Sequence, residues 1–212
     1  TVVRLLELTL IRIGNARYAK QNRSYGLTTL NKRHLEVDGA SLTFAFRGKS
    51  GQSHEVSVRD RRLARVIRTL RELPGQPVFQ YRAEEGEMAT VTSDAVNAYI
   101  REAMGEDFSA KDFRTWTGTV LSALALAEYE AADSEAAARA NVREAIETVA
   151  ATLGNTPAIC RKCYVHPQII DAYLSGGLKL ELREKIADNL KKPDLRPEEK
   201  QVLTFLRRRL KS

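Results

Sequence analysis

The stretch His34-Leu35-Glu36-Val37-Asp38-Gly39-Ala40-Ser41-Leu42-Thr43-Phe44-Ala45-Phe46-Arg47-Gly48-Lys49-Ser50-Gly51-Gln52-Ser53-His54-Glu55-Val56-Ser57-Val58 decides the fold class. Leu42, Phe44 and Phe46 alternate with Thr43, Ala45 and Arg47, the period of two expected of a strand with one buried face. Asp38-Gly39 is a hairpin dipeptide, since a tight turn between twisted strands needs positive φ, which Gly supplies without steric cost. Gly48-Lys49-Ser50-Gly51 gives a second turn, and residues 53–58 return. The reading is a three-stranded antiparallel meander. Upstream, Leu5, Leu8 and Leu10 open an apolar stretch ambiguous between helix and strand. Residues 1–60 are therefore expected to be β-rich.

Downstream the apolar period changes to that of a helix. Leu63, Val66, Ile67 and Leu70 share one side, with arginines on the others. Pro74-Gly75-Gln76-Pro77 breaks that helix, and Tyr81 to Ala89 reads as an acidic loop. Thr92-Ser93-Asp94 caps a helix through Met104 that Gly105 stops. Ser109 caps the next, carrying Phe113, Trp116 and Val120. Ala132 to Leu153 is an Ala-rich helix stopped by Gly154, and Thr156-Pro157 opens another by a cap followed by proline. Helices over 168–174, 178–190 and 198–210 complete the chain. The fold class is α+β: a mostly helical body over 61–212 with a small β-meander near the N-terminus.

Composition narrows the function. Over 212 residues, 43% are hydrophobic and 29% charged, which excludes a disordered chain. No eighteen-residue apolar run and no basic-then-apolar leader is present, so a soluble protein is expected, and only two cysteines make a reducing, cytosolic compartment the default. The opening Thr suggests a fragment or a processed product. The net charge of +7 is unevenly placed: residues 1–82 hold sixteen basic and six acidic side chains, the remainder eighteen and twenty-one. A positive front half on a near-neutral back half points to a polyanion, most simply nucleic acid. Arg59, Arg61, Arg62, Arg65, Arg68 and Arg71 either follow a DNA backbone or form a solvated face, and both readings stand.

Motifs for metals and nucleotides are scarce. The chain has no Gly-rich phosphate loop, no HExxH and no carboxylate cluster. Cys160 and Cys163 with His166 form a partial zinc pattern lacking a fourth ligand, and two cysteines one turn apart on a helix is the better reading. What remains is a scattered set of cations and one tyrosine. These are Arg12-Ile13-Gly14, with Tyr18, Gly26 and Thr29 following; Gly48-Lys49, then Ser53-His54-Glu55; Lys111-Asp112-Phe113-Arg114-Thr115; and Gly154-Asn155-Thr156-Pro157 leading to Tyr164.

In their order and spacing, including 37 residues from Arg12 to Lys49 and nine from Asn155 to Tyr164, these segments resemble the catalytic domain of the type IB DNA topoisomerases. The branch is that of the small poxvirus-type enzymes, which also occur in bacteria. The resemblance implies a bacterial, cytoplasmic, nucleoid-associated monomer acting on double-stranded DNA, with no cofactor, nucleotide or membrane partner. It also implies that the family's N-terminal clamp domain is absent from this chain.

Roles follow residue by residue. Tyr164 matches the nucleophile that forms a 3′-phosphotyrosyl link. A phenol ionises near pH 10, so cations must assist it. Arg12 and Arg114 match the arginines that grip the non-bridging phosphate oxygens, where a planar guanidinium meets two oxygens at once. Lys49 matches the general acid for the departing 5′-oxygen. Lys111, Arg17 and Tyr18 match DNA contacts, Lys111 with a part in the proton transfer. Asn155 stands where the family usually has histidine. Its amide brings no charge but can donate, so Asn155 is read as a hydrogen-bond donor to the scissile phosphate; a helix C-cap after Gly154 is the plainer alternative, and the two are compatible. The nearest rival is a tyrosine recombinase, which usually shows His-x-x-Arg where this chain has Lys111-x-x-Arg114. A non-catalytic basic DNA-binding module is the rival from another class.

Overall fold

The computed structural model describes residues 1–105, 107–129, 132–178, 180 and 195–211. These fall into two compact units, Thr1–Phe113 and Arg114–Ser212.

In the first unit the meander forms as its alternation predicts. Strands β1 (Leu35–Asp38), β2 (Ser41–Arg47) and β3 (Ser53–Arg59) pair antiparallel in the order β1-β2-β3, with Phe44 opposite Leu35 and Val56. Leu42 and Phe44 are fully buried, and each such side chain contributes about 1.5–3 kcal/mol. Residues 1–60 are less β-rich than expected. Two helices, α1 (Val2–Thr9) and α2 (Ala16–Asn22), precede the meander. Leu5, Leu6 and Thr9 are the buried positions of α1, and their spacing of one and four is a helix face. The ambiguous leucines resolve to helix because the buried set includes Leu6, which a two-residue period would point outward.

Helix α3 (Arg61–Glu72) starts where Asp60 accepts from the Arg62 and Leu63 amides, and it buries Leu63, Ala64 and Ile67. Arg61, Arg62, Arg65 and Arg71 are exposed and have no carboxylate partner among the described residues, whereas Arg68 donates to the Gly39 carbonyl in the β1–β2 turn. The stretch expected as an acidic loop is a hairpin. Strands β4 (Gln80–Arg82) and β5 (Met88–Thr90) pair antiparallel, and only the tip at 83–87 is loop, turned by Gly86 at φ +84°. Burial of Phe79 and Gln80 outweighs the acidic tip in fixing that ladder. Helix α4 (Ser93–Met104) begins at Thr92 and ends at Gly105, as predicted.

One buried histidine gives this unit a pH dependence. His34 packs its ring 4.4 Å from that of Tyr25, and its Nδ1 accepts from the Asn31 amide at 3.1 Å. Burial, helped by the Arg33 charge, lowers its pKa from the ordinary 6.5. Between the lowered value and 6.5 the unfolded chain binds more protons, so stability is full above about pH 6.5 and is lost as pH falls through the folded value. Thermal denaturation at pH 8, 6.5 and 5 should show a falling Tm, with a shallower acid-side fall in His34→Gln. Equal acid slopes in both proteins would refute this assignment.

Helix α5 (Ala110–Ala127) runs across the division between the units; Ser109 at its start donates its N–H and hydroxyl to Asp112. In the second unit α6 (Glu135–Leu153) packs on α7 (Pro157–Cys163) and α8 (Pro167–Leu174), and α8 packs on α9 (Pro197–Arg209). Val142, Ile146, Val149 and Leu153 of α6 are buried, the face its sequence marked. Trp116 Nε1 donates to Glu199 at 3.0 Å, tying α9 to α5. The helix expected over 178–190 lies outside the described residues, apart from 178 and 180 at its start.

Candidate active site

In the first unit, the Arg12 segment is held by backbone contact that only glycine permits. Gly14 sits at φ +94° against Gly26, where a Cβ on Gly26 would lie 2.5 Å from the Gly14 Cα. The close approach lets Leu27 N–H donate to the Arg12 carbonyl and Thr28 N–H to that of Ile13, both at 2.8 Å. Thr29 Oγ1 accepts from Gly26 N–H and donates to its carbonyl, each at 2.9 Å, locking the strand of chain that Arg12 leans on. Asn15 then caps α2 by accepting from the Arg17 and Tyr18 amides.

Lys49 stands at the tight turn between β2 and β3. Gly48 N–H donates to the Gln52 carbonyl at 2.7 Å, and Gly51 takes φ +76°. Gly48 lies against the His54 ring, which stacks on Phe46 at 5.3 Å, so the Gly-Lys and Ser-His-Glu pieces of the sequence pattern brace one hairpin. Tyr25 N–H donates to the Arg47 carbonyl at 2.8 Å and ties this hairpin to the Arg12 segment. Together they enclose an open cavity of about 660 Å³ lined by Arg12, Tyr18, Tyr25, Arg47 and Lys49 among others, with no carboxylate in its lining. Three cations around one concavity give it a positive potential that favours an anionic ligand.

In the second unit a Schellman turn does the positioning. Gly154, at φ +58°, donates to the Ala151 carbonyl, and Asn155 N–H donates to that of Ala150. The Leu153 carbonyl at this helix end accepts from Arg114 Nη2 at 2.6 Å. A guanidinium at a helix C-terminus also meets the negative end of the helix dipole. Arg114 is thus held while only 5% exposed, and its guanidinium carbon lies 5.1 Å from the centre of the Tyr164 ring. Tyr164 is the C-cap of α7, half-buried, and its hydroxyl makes no hydrogen bond among the described residues.

Of the residues singled out from the sequence, Arg12, Lys49 and Tyr18 share the cavity of the first unit, and Arg114 and Tyr164 share a contact in the second. Arg17 and Lys111 are exposed on α2 and α5. Gly154 takes the left-handed cap position of α6, and Asn155 adds its backbone N–H to the Ala150 carbonyl. Arg47 was missed: it occupies an ordinary outward position of β2, and only the turn reveals that it lines the cavity. The cysteines are placed one turn apart on α7, Cys160 fully buried. Burial pushes the Cys160 thiol up from its ordinary value, and the Arg114 charge opposes this in part. No group of three or more His, Cys, Asp or Glu among the described residues is arranged to hold a metal ion.

The first unit carries a cation at the turn of its meander, and the second sets a tyrosine beneath a buried arginine. The matching family model is the eukaryotic DNA topoisomerase I catalytic core, which covers residues 1–192. The chain belongs to this family, as a type IB catalytic domain of the poxvirus-type branch. It is 32% identical over 170 residues to the DNA topoisomerase 1B of Acanthamoeba polyphaga mimivirus, covering 77% of this chain and 51% of that protein. It is 22% identical over 164 residues to the DNA topoisomerase I of monkeypox virus, covering 76% and 49%. A 48-residue segment is 40% identical to the vaccinia virus (strain Copenhagen) DNA topoisomerase 1B, covering 23% and 15%. The chain spans about half the length of the first two. All these relatives are viral and lend no support to a bacterial source. No helix among the described residues is long and apolar enough to cross a membrane.

Proposed function

We propose that this chain carries the catalytic machinery of a DNA topoisomerase of type IB that needs neither metal nor ATP. Tyr164 Oη attacks a phosphodiester of one strand of duplex DNA. The Oη–P bond forms, the P–O5′ bond breaks, the phenolic proton leaves to water, and Lys49 donates a proton to the departing 5′-oxygen. Arg12 and Arg114 stabilise the charge that gathers on the non-bridging oxygens, and Asn155 donates its amide to one of them. The phosphotyrosine keeps the bond energy, so the 5′-hydroxyl religates by the reverse path after the broken strand has rotated. Supercoils of either sign relax.

The observation that best supports this reading is the buried Arg114 guanidinium 5.1 Å over the Tyr164 ring. A guanidinium held beside the phenol is placed to meet the non-bridging oxygens of a phosphate that the phenol attacks. The acid-free cavity with Arg12 and Lys49 adds to the case. In EDTA and without ATP, the protein is expected to relax both negatively and positively supercoiled plasmid, and to leave a protein–DNA adduct at a 3′-phosphate on a nicked or suicide duplex. DNA binding with no adduct on any duplex would leave a non-catalytic basic module instead.

A further inference from the structure

One face of α5 holds more than Arg114. One turn further on, Gly118 lies directly against the nucleophile's backbone: a Cβ placed there would sit 2.5 Å from the Tyr164 carbonyl oxygen and 3.2 Å from its Cβ. Real Cβ atoms do not approach a carbonyl that closely, so any side chain at this position displaces residue 164. On either side of the glycine, two threonines hold the same segment. Thr115 Oγ1 reaches the Cys163 carbonyl at 3.5 Å. Thr119, 2% exposed, accepts from the His166 amide at 3.1 Å and donates to the Thr115 carbonyl at 2.8 Å.

We propose that Gly118 and Thr119 are positioning residues: they form a seat on α5 that sets Tyr164 in register with Arg114, one turn away on the same helix. The proposal rests on the reading of Tyr164 as nucleophile. Its physical basis is that residues 114 and 118 face the same way on a rigid helix, so cation and nucleophile are referenced to one body. A glycine inside a helix is ordinarily a weakness, because it keeps more freedom in the unfolded chain than alanine does. Here it is retained at the point of closest backbone approach. The seat acts only through where it places the phenol, since neither residue touches DNA in this scheme.

The experiment compares wild type, Gly118→Ala, Thr119→Val and Thr119→Ser in single-turnover adduct formation on a suicide duplex. Each is assayed with an ordinary phosphodiester and with sulfur replacing the bridging 5′-oxygen. A thiolate leaves without being protonated, so the sulfur duplex restores variants that lack the general acid and does not restore those with a misplaced nucleophile. Lys49→Ala is the comparison. Gly118→Ala is expected to slow adduct formation by about a hundredfold, the order that a misplacement of about 1 Å costs, with the deficit unchanged on the sulfur duplex. Thr119→Val is expected to do the same more mildly, and Thr119→Ser, which keeps the hydroxyl, to recover most of the rate. Amide exchange at His166 should quicken in Thr119→Val and not in Thr119→Ser, without any reaction being involved.

Gly118→Ala that folds and cleaves within about threefold of wild type overturns the seat and leaves the proposed function standing, whereas wild type that forms no adduct overturns both. Should Gly118→Ala fail to fold, the two Thr119 variants decide: a wild-type rate in Thr119→Val, or a slow rate on the phosphodiester that the sulfur duplex restores, refutes the proposal.

Discussion

Tyr164→Phe is expected to reduce covalent capture of DNA by at least about 10⁴-fold, the scale on which loss of an enzyme nucleophile is felt. DNA binding and thermal stability should stay near wild type. The change removes one oxygen and nothing else. The Phe ring still fills the place beneath Arg114, 5.1 Å from its guanidinium carbon, and still covers it from solvent. The lost hydroxyl makes no hydrogen bond among the described residues, so no partner is stranded and a stability change within about 0.5 kcal/mol is expected. A denaturing gel of protein incubated with a suicide duplex labelled at the 5′ end of its scissile strand gives the adduct, and a filter-binding isotherm on uncut duplex gives the affinity. Adduct persisting in Tyr164→Phe would mean that a different side chain attacks. Cys160 is poorly suited to that, because its burial keeps the thiol protonated.

The meander and most of the helical body were legible in the sequence because their signals are local. Leu42, Phe44 and Phe46 alternate, Asp38-Gly39 turns, Thr92 caps and Gly154 stops, and each fixes its element without reference to distant chain. The failures came where tertiary burial decides between local options. Leu5, Leu6 and Thr9 become a helix face because all three are buried on one side. The run Glu84-Glu85-Gly86-Glu87 looks like solvent loop, and the residues around it pair into a ladder whose first position, Gln80, is buried next to the buried Phe79.

The candidate site divides in the same way. Arg12, Lys49, Arg114 and Tyr164 were singled out because the resemblance fixes their order, while their chemistry fits a phosphodiester. What was not legible is what holds them. The contact of Gly14 with Gly26 spans twelve residues, and that of Gly118 with Tyr164 spans forty-six; no pattern of adjacent residues announces either. Arg47 was hidden for a related reason, since an outward arginine near a strand end is unremarkable until the turn folds it onto the Lys49 cavity.

Arg114→Ala carries the second large effect, and it acts on the fold as well as on the reaction. The Arg114 guanidinium carries the charge proposed to meet the phosphate, and its Nη2 satisfies the Leu153 carbonyl at the end of α6. Truncation therefore has two consequences. Single-turnover adduct formation is expected to fall by about 10²–10³-fold, or about 3–4 kcal/mol, the loss seen when one preorganised donor to a developing oxyanion is removed. Stability is also expected to fall by about 1–3 kcal/mol, because a buried carbonyl loses its donor. The two are separable: the stability loss appears in Tm without DNA, and the rate loss persists at temperatures where the variant is fully folded. Arg114→Lys sharpens the test. An ammonium keeps the charge but not the planar fork that can hold a carbonyl and a phosphate oxygen together, so it should recover only part of the rate. A folded Arg114→Ala protein that captures DNA within about threefold of wild type would remove Arg114 from the reaction and reduce it to a brace for the end of α6. If Arg114→Lys matched wild type in rate while Arg114→Ala did not, charge alone would suffice, and the joint hold of the planar fork on carbonyl and phosphate oxygen would have to be given up.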